Sequence, residues 1–448
     1  MPDTSKPTRN IALSDTMLAS AHNVQAVSAG KSLSDSLAAT PPALRASAQA
    51  VSFHVMRRLG LVRAIKEIMV RRTPPNPLFD ALLLVSLALL DAAIEYADAD
   101  AGRPELRHIP VYAVHTVVDQ AVRAASGVPR MRSYKALLNA TLRGYIRERS
   151  AILAQLKEDP VALHNHPQWW IERLRQAYPG QWRAILAAAD VPGPMTLRVN
   201  IRRSSVDGML RELEAAGMPA AHVGGEAITL LHPRPVQEIP GFEQGWWSVQ
   251  DAAAQQAAML LPLAPGMRVL DACAAPGGKT AHILERADVE LVALDNDAAR
   301  LERIGQNLRR LGLDGPSVTL ACADAADPEA WWDGRGFDAV LADVPCTGSG
   351  VVRRHPDIRW LRRDADLGKT AALQRRIVDA LWGVLKPGGH LLYATCSIFP
   401  QEGEQQAQGF CSRHADALRL PAPGQMLPLP DGIGSHDGFF YALFAKKG

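Results

Sequence analysis

The chain has 448 residues, of which 47% are hydrophobic and 21% are charged, a composition typical of a globular protein with two or three domains. No uninterrupted apolar run reaches the roughly 18 residues of a membrane span, and the polar start MPDTSKPTRN lacks a signal-peptide core. The five cysteines contain no CxxC pair, which argues against a disulfide framework and a zinc site. We expect a cytoplasmic protein without a metal or a membrane partner.

The net charge of +3 conceals an asymmetry along the chain. Residues 1–150 carry 19 Lys and Arg against 12 Asp and Glu, whereas the remainder carries 30 against 34. A basic N-terminal third suits a nucleic-acid partner, and it suits a solvated helical surface equally well.

The N-terminal third is predicted to be helical. Residues 1–24 are polar and aperiodic, which predicts a flexible tail. Over residues 25–150, apolar residues recur at spacings of three and four in LFDALLLVSLALLDAAIEYA, IPVYAVHTVVDQAVRAA and SYKALLNATLRGYIRER. This pattern predicts an all-α domain.

Residues 151–240 are predicted to form a linker and a small α+β module. MTLRVNIRR and AITLLHP alternate like strands, and SVDGMLRELEAAG between them is helical.

Residues 241–448 alternate regularly between strand and helix. The strand candidates are RVLDA, ELVALD, SVTLA, FDAVLADVP and GHLLYATCS. Such alternation predicts a Rossmann-like α/β domain with a doubly wound, mostly parallel sheet, in which ligands bind beyond the carboxyl ends of the strands.

The first of these strands runs into the loop ACAAPGGKT, which resembles a phosphate-binding P-loop. A P-loop requires glycine five residues before Gly278, but Cys273 occupies that position, and no phosphate-sensing motif follows. The small residues Ala274, Ala275 and Gly277 would still allow a ligand to touch the backbone. An ATPase is therefore disfavoured.

Acidic residues follow each of the four successive strands. They are Asp271, Asp295, Asp324 and Asp343. A carboxylate in the place of Asp295 binds a ribose diol, and Asp324 is expected near an adenine edge. Each acid alone could be a helix cap, but four in register indicate a nucleoside without phosphates. The pattern predicts S-adenosylmethionine as the cofactor.

Two cysteines, Cys346 in ADVPCTGSG and Cys396 in YATCSIFPQE, lie just after strands. Buried cysteine is usually a small apolar filler, and we accept that interpretation for Cys273, Cys322 and Cys411, although Cys273 is also expected to line the cofactor pocket. At the rim of a methyl-donor site, a thiolate could instead add to carbon 6 of a pyrimidine and make carbon 5 nucleophilic. We expect Asp343 to hydrogen-bond the N3/N4 edge of that base. The residues alone leave open which cysteine attacks.

Four segments together resemble the Nop/Sun family of RNA cytosine-5 methyltransferases. They are DACAAPGGKT, LDNDAARLERIGQNLRRLG, DVPCTGSGVVRRHPDIRW and LLYATCSIFPQEGE, and WWSVQDAAAQ matches the entry to the catalytic domain. The resemblance implies that Cys396 is the nucleophile and that Cys346 assists product release. It also implies that the cofactor is held by Cys273, Ala274, Ala275, Pro276, Gly277, Gly278, Lys279, Asp295, Asp324 and Asp343.

The helical N-terminal third is similar to the RNA-binding NusB fold, and Asn139 of its last helix is retained. A NusB-like domain in front of this catalytic domain resembles the bacterial branch of the family that modifies 16S ribosomal RNA. A transfer-RNA enzyme of the same family is the nearest alternative, and a non-catalytic antitermination factor is a more distant one. We expect the protein to act as a monomer on 16S ribosomal RNA or on an assembling small subunit.

The segment Val351–Arg376 carries eight Lys and Arg against three Asp. A charge run usually marks a solvated face, but this run follows the DVPC motif, which favours contact with phosphate. We expect RNA contacts from Arg353, Arg354 and Arg359, with Arg143 of the helical domain adding reach. The target base would be unpaired or flipped, since carbon 6 must be exposed.

Overall fold

The computed structural model describes residues 11–72, 74–98, 109–428, 432 and 434–448. The chain divides into two compact units. One, called here the helical unit, comprises the residues through Asp190 together with His355–Arg362. The other, called the sheet unit, comprises Val191–Arg354 and Arg363–Gly448.

The helices of the helical unit up to Gln155 pack around one apolar core, in which Val24, Val55, Leu82 and Leu142 are fully buried. Its helices up to residue 190 are α1 (Leu13–Ser28), α2 (Leu33–Ala39), α3 (Pro42–Met56), α4 (Leu59–Met69), α5 (Pro77–Asp98), α6 (Val114–Gly127), α7 (Lys135–Gln155), α8 (Pro160–His164), α9 (Gln168–Ala177) and α10 (Trp182–Ala188).

The prediction of a flexible tail over residues 1–24 is wrong from Leu13 onward, because that stretch forms α1 and buries Met17 completely. Its polar residues misled the sequence analysis, since several are buried and bonded to α3. Asn23 Nδ2 donates to Ser52 Oγ at 3.3 Å, and Ser20 Oγ donates to the Ala48 carbonyl at 3.4 Å. Residues 1–10 lie outside the described residues.

Helix α5 is long and apolar enough to cross a membrane by length and composition, which the sequence analysis did not expect. However, 78% of its most apolar window is buried within the protein. Packing against the other helices of the unit accounts for its apolar character.

The segment His355–Arg362 joins the helical unit although it lies far along the chain. Asp357 Oδ2 accepts a hydrogen bond from the Leu33 N–H at 2.8 Å, and Trp360 Nε1 donates to the Met56 carbonyl at 3.0 Å. Arg63 also lies over the Trp360 ring, 5.3 Å from its centroid. Two hydrogen bonds and a cation–π contact therefore tie this segment to the helical unit.

The predicted boundary at residue 150 falls inside α7, and the boundary between the compact units lies between Asp190 and Val191. The predicted range 151–240 thus combines α8 to α10 of the helical unit with the first strands of the sheet unit.

The sheet unit opens with a small antiparallel sheet in the order β2-β3-β1-β4. Its elements are β1 (Met195–Val199), α11 (Val206–Ala215), β2 (Ala220–Gly224), β3 (Ala227–Leu230) and β4 (Trp247–Val249). The two predicted strands and the helix between them are confirmed. The predicted end of this module at 240 is too early, because β4 pairs with β1 and Trp247 is buried in the module's core.

A seven-stranded sheet follows, in the order β10-β11-β9-β8-β5-β6-β7. Its strands are β5 (Arg268–Ala272), β6 (Glu290–Asp295), β7 (Val318–Cys322), β8 (Phe337–Asp343), β9 (Leu385–Thr395), β10 (Ala417–Met426) and β11 (Phe439–Lys446). Strands β5 to β9 run parallel to their neighbours, and β10 and β11 add antiparallel pairs. The predicted Rossmann-like fold class is confirmed.

Helices cover both faces of this sheet, and they bury two apolar clusters against it. They are α12 (Ala252–Leu260), α13 (Gly278–Arg286), α14 (Ala298–Leu311), α16 (Asp364–Val384) and α17 (Glu404–Arg413), while α15 (Ile358–Leu361) belongs to the helical unit. Local signals set their ends: the Asp297 carboxylate caps α14, and Gly312 ends it with a left-handed φ of 70°.

Candidate active site

Acidic side chains line the carboxyl edge of the large sheet, as the sequence predicts. Asp271, Asp295 and Asp343 lie at the ends of β5, β6 and β8. Asp324 follows β7, where it is exposed and accepts a hydrogen bond from the Ala326 N–H at 2.9 Å. The four positions lie on neighbouring strands, because β8, β5, β6 and β7 are adjacent in the sheet.

The loop between β5 and α13 turns sharply at two residues with positive φ, Cys273 at 61° and Gly277 at 93°. A Cβ at Gly277 would meet Ile304 at 2.9 Å, so both the conformation and the space favour glycine. The loop ends at Gly278, the first residue of α13, where backbone N–H groups are free of helical partners. Backbone therefore lines one side of the site.

Asp295 closes this loop against β6, because its carboxylate accepts hydrogen bonds from the Ala275 N–H at 3.0 Å and the Asp297 N–H at 3.1 Å. Asp271 is fully buried and accepts one bond, from Thr280 Oγ at 2.6 Å. Burial raises the pKa of Asp271 to about 7, and the nearby Asp343 charge adds to the rise.

Oδ1 of Asp271 has no hydrogen-bond partner among the described residues. A buried acceptor without a donor is costly unless a ligand satisfies it. S-adenosylmethionine carries hydroxyl and ammonium donors and no phosphate, so a rim of carboxylates fits it. The same rim would repel a pyrophosphate.

Lys279 lies between these acids and the cysteines. Its Nζ is 2.5 Å from Asp343 Oδ2 and 5.5 Å from the centroid of the Phe439 ring. Burial alone would lower the pKa of Lys279, but the adjacent Asp343 carboxylate raises it, and the net shift is upward. Asp343 thus has a charged partner at the edge where a base would be bound.

Strand pairing brings the two predicted cysteines together. Asp343 of β8 pairs with Ala394 of β9, so the chain reaches Cys346 and Cys396 at the same sheet edge. Their sulfur atoms are 3.3 Å apart, and both side chains are half-buried. The hydrogen bond to the Cys396 sulfur, followed by burial, raises the pKa of the Cys346 thiol well above its usual range.

The other cysteines lie apart from this pair. Burial, and then the Asp343 and Asp295 carboxylates, raise the pKa of Cys273, which keeps that thiol protonated beside the loop. Cys322 is exposed and Cys411 is half-buried. The described residues contain no group of three or more His, Cys, Asp or Glu side chains that could hold a metal ion.

Sequence analysis missed Arg198 of β1, which supports the start of α13 from the small sheet. Its side chain is fully buried, and it pairs with both oxygens of Glu285 at 2.7 and 2.8 Å. It also donates to the Gly278 carbonyl at 2.6 Å and to Gln250 Oε1 at 2.5 Å. Because these partners are 52 to 87 residues away, no local sequence signal could identify this role.

The prediction that Arg353 contacts RNA is contradicted, because its side chain is only 4% exposed and is paired with Asp437. Arg354 bonds the other oxygen of Asp437 and lies 2.8 Å from Asp251, leaving its side chain 28% exposed. Burial, and then the Asp437 charge, raise the pKa of Asp251 in this cluster. The two arginines stabilise the loop as partners of buried carboxylates.

Arg359 is also wrong as an RNA contact, since its side chain is fully buried in the helical unit. It pairs with Asp190 at 2.6 Å and donates to the Ala189 and Asn165 carbonyls. Arg143 is exposed on α7, where Nε donates to Asn139 at 3.1 Å. An RNA contact by Arg143 stays a prediction.

Of the five remaining basic residues of the charge run, Arg362 belongs to the helical unit, and the other four form an exposed set at α16. They are Arg363, Lys369, Arg375 and Arg376. The same helix turns Gln374 inward, where Nε2 donates to the Pro345 carbonyl at 2.9 Å, one residue before Cys346. The helix that contacts the loop containing Cys346 therefore also carries an exposed basic face.

Two family models match the sheet unit and the stretch before it. Residues 258–445 match the model described as 16S rRNA methyltransferase RsmB/F. Residues 166–237 match the ferredoxin-like domain described for RsmF/B-like methyltransferases.

Known proteins match over most of the chain. Ribosomal RNA small subunit methyltransferase B of Vibrio cholerae is 40% identical over 94% of this chain and 95% of its own length. The protein of the same name from Pseudomonas syringae pv. tomato is 42% identical over 82% of this chain and 85% of its own length. A solved methyltransferase homologue from Pyrococcus horikoshii is 29% identical with a TM-score of 0.56, covering 64% of this chain and 98% of that one. The chain therefore belongs to the ribosomal RNA small subunit methyltransferase B family of S-adenosylmethionine-dependent methyltransferases.

Proposed function

We propose that this protein methylates carbon 5 of a cytosine in 16S ribosomal RNA through a covalent cysteine adduct at carbon 6. The observation that carries the proposal is the pair of thiols, 3.3 Å apart, at the sheet edge that also bears Asp343. A methyltransferase acting on oxygen or on an exocyclic nitrogen has no need of a thiol nucleophile, whereas carbon 5 of cytosine does.

The chemistry needs a thiolate because carbon 5 of cytosine is a weak nucleophile. When sulfur bonds to carbon 6, the electrons of the 5,6 double bond move towards carbon 5, which can then form a bond to a methyl carbon. S-adenosylmethionine supplies that methyl group from a sulfonium and leaves as the neutral thioether. Loss of the carbon-5 proton then restores the double bond and breaks the sulfur–carbon bond.

We assign the nucleophile to Cys396 and assistance of release to Cys346. The 3.3 Å contact supports a pair in which one sulfur attacks while the other donates a proton, since either sulfur can be the donor, and the family resemblance gives the attack to Cys396. Asp343, with Lys279 beside it, would bind the N3/N4 edge and stabilise the adduct.

The cofactor would bind along the loop from Cys273 to Lys279. The N–H groups at the start of α13 and the small side chains before it would let the ligand approach the backbone. Asp295 would accept hydrogen bonds from the ribose hydroxyls, and Asp324 would lie towards the adenine. The unpartnered oxygen of Asp271 adds an acceptor that the sequence analysis did not assign.

The names of the relatives support small-subunit ribosomal RNA as the substrate. We infer that the helical unit adds an RNA-binding surface. Lys135, Asn139 and Arg143 line a groove of about 680 Å³ between α6 and α7. We place the enzyme in the cytoplasm, where small subunits assemble, and expect it to act as a monomer.

Bisulfite sequencing of ribosomal and transfer RNA, from cells with and without the gene, tests the substrate. Loss of one 16S 5-methylcytosine supports the proposal. Loss of a transfer-RNA mark would keep the chemistry and overturn the substrate. If no cytosine mark changes, carbon-5 methylation itself is wrong.

The roles of the two cysteines can be separated with purified protein and 16S RNA. Cys396→Ala should lower methyl transfer at least about 10³-fold while S-adenosylmethionine binding stays within about twofold. Cys346→Ala should instead accumulate a protein–RNA adduct that survives denaturing electrophoresis. Efficient turnover by either variant would contradict its assigned role.

A further inference from the structure

Cys346 lies in the loop after β8, and Cys396 lies in the loop after β9. In each of these two cysteine loops the next residue carries a hydroxyl, and both hydroxyls bind one buried carboxylate. Thr347 follows Cys346, and Ser397 follows Cys396. Thr347 Oγ1 lies 2.5 Å and Ser397 Oγ 2.6 Å from Glu402 Oε2. Glu402 ends the short helix Pro400–Glu402 and is fully buried.

The second oxygen of Glu402 is also satisfied by the surrounding polypeptide. Oε1 accepts the Thr347 N–H at 2.9 Å and Gln374 Nε2 at 3.1 Å. Gln374 also donates to the Pro345 carbonyl, so the amide bridges the first cysteine loop and the carboxylate. Four donors thus converge on a group that only accepts, which is the role of a carboxylate.

The backbone of Glu402 is fixed to the strand that carries Cys396. Its carbonyl lies 2.8 Å from Tyr393 Oη and 3.2 Å from Thr395 Oγ1. The backbone of Glu402 is therefore held against β9, while its carboxylate contacts the loop after β8. Charge-assisted hydrogen bonds of this kind fix geometry more strongly than neutral ones.

We propose that Glu402 is a positioning residue that sets the distance between the Cys346 and Cys396 sulfur atoms. The inference rests on the proposed function for its catalytic meaning, but the distance itself can be tested without RNA. No hydrogen bond joins Glu402 to either sulfur, so it sets their positions through Thr347 and Ser397. After the hydrogen bond to Cys396 and burial, the Glu402 charge also adds to the rise in the pKa of Cys346.

Substitution by glutamine retains the shape but introduces two donors. If the new NH₂ group faces the Thr347 and Ser397 hydroxyls, these can rotate to accept. If it faces Oε1's partners, the Thr347 N–H and the Gln374 amide are left without an acceptor. In either orientation neutral hydrogen bonds replace charge-assisted ones. Glu402→Gln should therefore fold and loosen the loops, and Glu402→Leu, which removes all four bonds, should loosen them further.

The primary experiment measures how fast the two thiols join under diamide, which takes two electrons and two protons from the pair as the disulfide forms. The peptide linking Cys346 to Cys396 is quantified by mass spectrometry in the full-length protein. We expect Glu402→Gln to slow its formation by about tenfold, since small misplacements have large effects on reactions between held groups. An unchanged rate in both variants would overturn the proposal.

Asp338→Asn is the matched control, because Asp338 lies at the opposite end of β8 and bonds the Arg268 N–H and Lys386. It should leave the disulfide rate unchanged. A similar slowing in this control would attribute the effect to general loosening of the sheet. Thr347→Val should slow the reaction less than Glu402→Gln, since it removes a single donor.

Single-turnover methylation of 16S RNA supplies the catalytic measurement. We expect Glu402→Gln to lower the rate about tenfold or more, with RNA KM and S-adenosylmethionine affinity unchanged. If the wild-type protein does not methylate RNA, the proposed function is wrong. The disulfide rates still test whether Glu402 positions the two sulfur atoms. A slower disulfide reaction with an unaltered methylation rate would overturn the catalytic part of the inference.

Discussion

Two buried carboxylates, one in each unit, differ in how many hydrogen-bond donors surround them. Asp91 of the helical unit accepts three hydrogen bonds, from Arg58, Tyr145 and Arg149, at 2.6 to 2.8 Å. Asp271 of the sheet unit accepts one, from Thr280, and its Oδ1 has no partner within the described part of the chain. Both are essentially inaccessible to solvent.

The difference separates a group that stabilises the fold from a group that lies, in the proposed function, where a ligand would bind. The partners of Asp91 supply charge and hydrogen bonds, so its burial is compensated within the helical unit. Burial of Asp271 is compensated only in part, which is why its pKa rises. Partial satisfaction at the edge of a parallel sheet supports the proposed binding site.

The largest effect is expected for Asp91→Ala, which leaves Arg58 and Arg149 without their buried partner. Loss of one member of a buried ion pair typically costs about 3–5 kcal/mol of unfolding free energy. Denaturant unfolding measures this loss, and calorimetric titration should show unchanged S-adenosylmethionine affinity in the protein that remains folded. A loss below about 1 kcal/mol would remove the contrast between the two acids.

Asp271→Asn should act in the opposite direction on the ligand-free protein. The pKa of Asp271 is about 7 in the folded state and about 3.8 when unfolded, so its stabilising effect is present below pH 4 and is lost as the pH rises through 7. The variant should therefore be more stable than wild type at pH 8, by at most roughly 4 kcal/mol, and equal to it near pH 4.

Thermal unfolding across this pH range measures the Asp271 effect. S-adenosylmethionine affinity should fall in the same variant, because an uncharged amide replaces a carboxylate. A stability difference that does not change with pH would show that Asp271 titrates normally.

His54 is expected to give the helical unit a smaller sensitivity to acid. Burial, and then Arg58, lower the pKa of His54 to about 4, while Asp91 and its bond to the Ala88 carbonyl oppose the shift. The neutral ring contributes stability above pH 6.5 that is lost as the pH falls towards 4, by at most roughly 3 kcal/mol. His54→Gln keeps an N–H donor and should flatten that pH dependence, as followed by denaturant unfolding at pH 4.5 and 7.5.

The smallest effect is expected on the exposed face of α16. Lys369→Gln and Arg375→Gln should each weaken RNA binding a few-fold and reduce the slope of log affinity against log salt by about 0.7. Arg359→Gln should instead lower unfolding free energy, since that side chain is buried against Asp190. Salt titrations of RNA binding separate the two classes; an unchanged slope for both surface variants would exclude this face.

The sheet and the cysteine pair could be predicted because their signals are local. Each strand is a short apolar run that ends in an acid or a cysteine, and parallel strands bring their carboxyl ends to one edge. That regularity alone predicts that Asp295, Asp343, Cys346 and Cys396 lie at one edge of the sheet.

The burial of Arg353 and Arg359 could not be predicted, because a run of basic residues has the same sequence pattern whether its side chains face water or buried acids. Arg353 finds Asp437 84 residues later, and Arg359 finds Asp190 169 residues earlier. Glu402 was missed for a related reason. Its four donors come from three separate segments, and nothing in the sequence around Glu402 points to them.

The excursion of His355–Arg362 into the helical unit has a consequence for dissecting the gene. A fragment that begins at Val191 would contain every proposed catalytic residue. In it, however, Trp360 would lose its contact with α4 and Arg359 would lose its ion pair with Asp190. A fragment that ends at Asp190 would lack the same eight residues. A cut between Asp190 and Val191 therefore removes native contacts from both fragments. A circularly permuted protein, or the two fragments expressed together, should be more stable than either fragment alone.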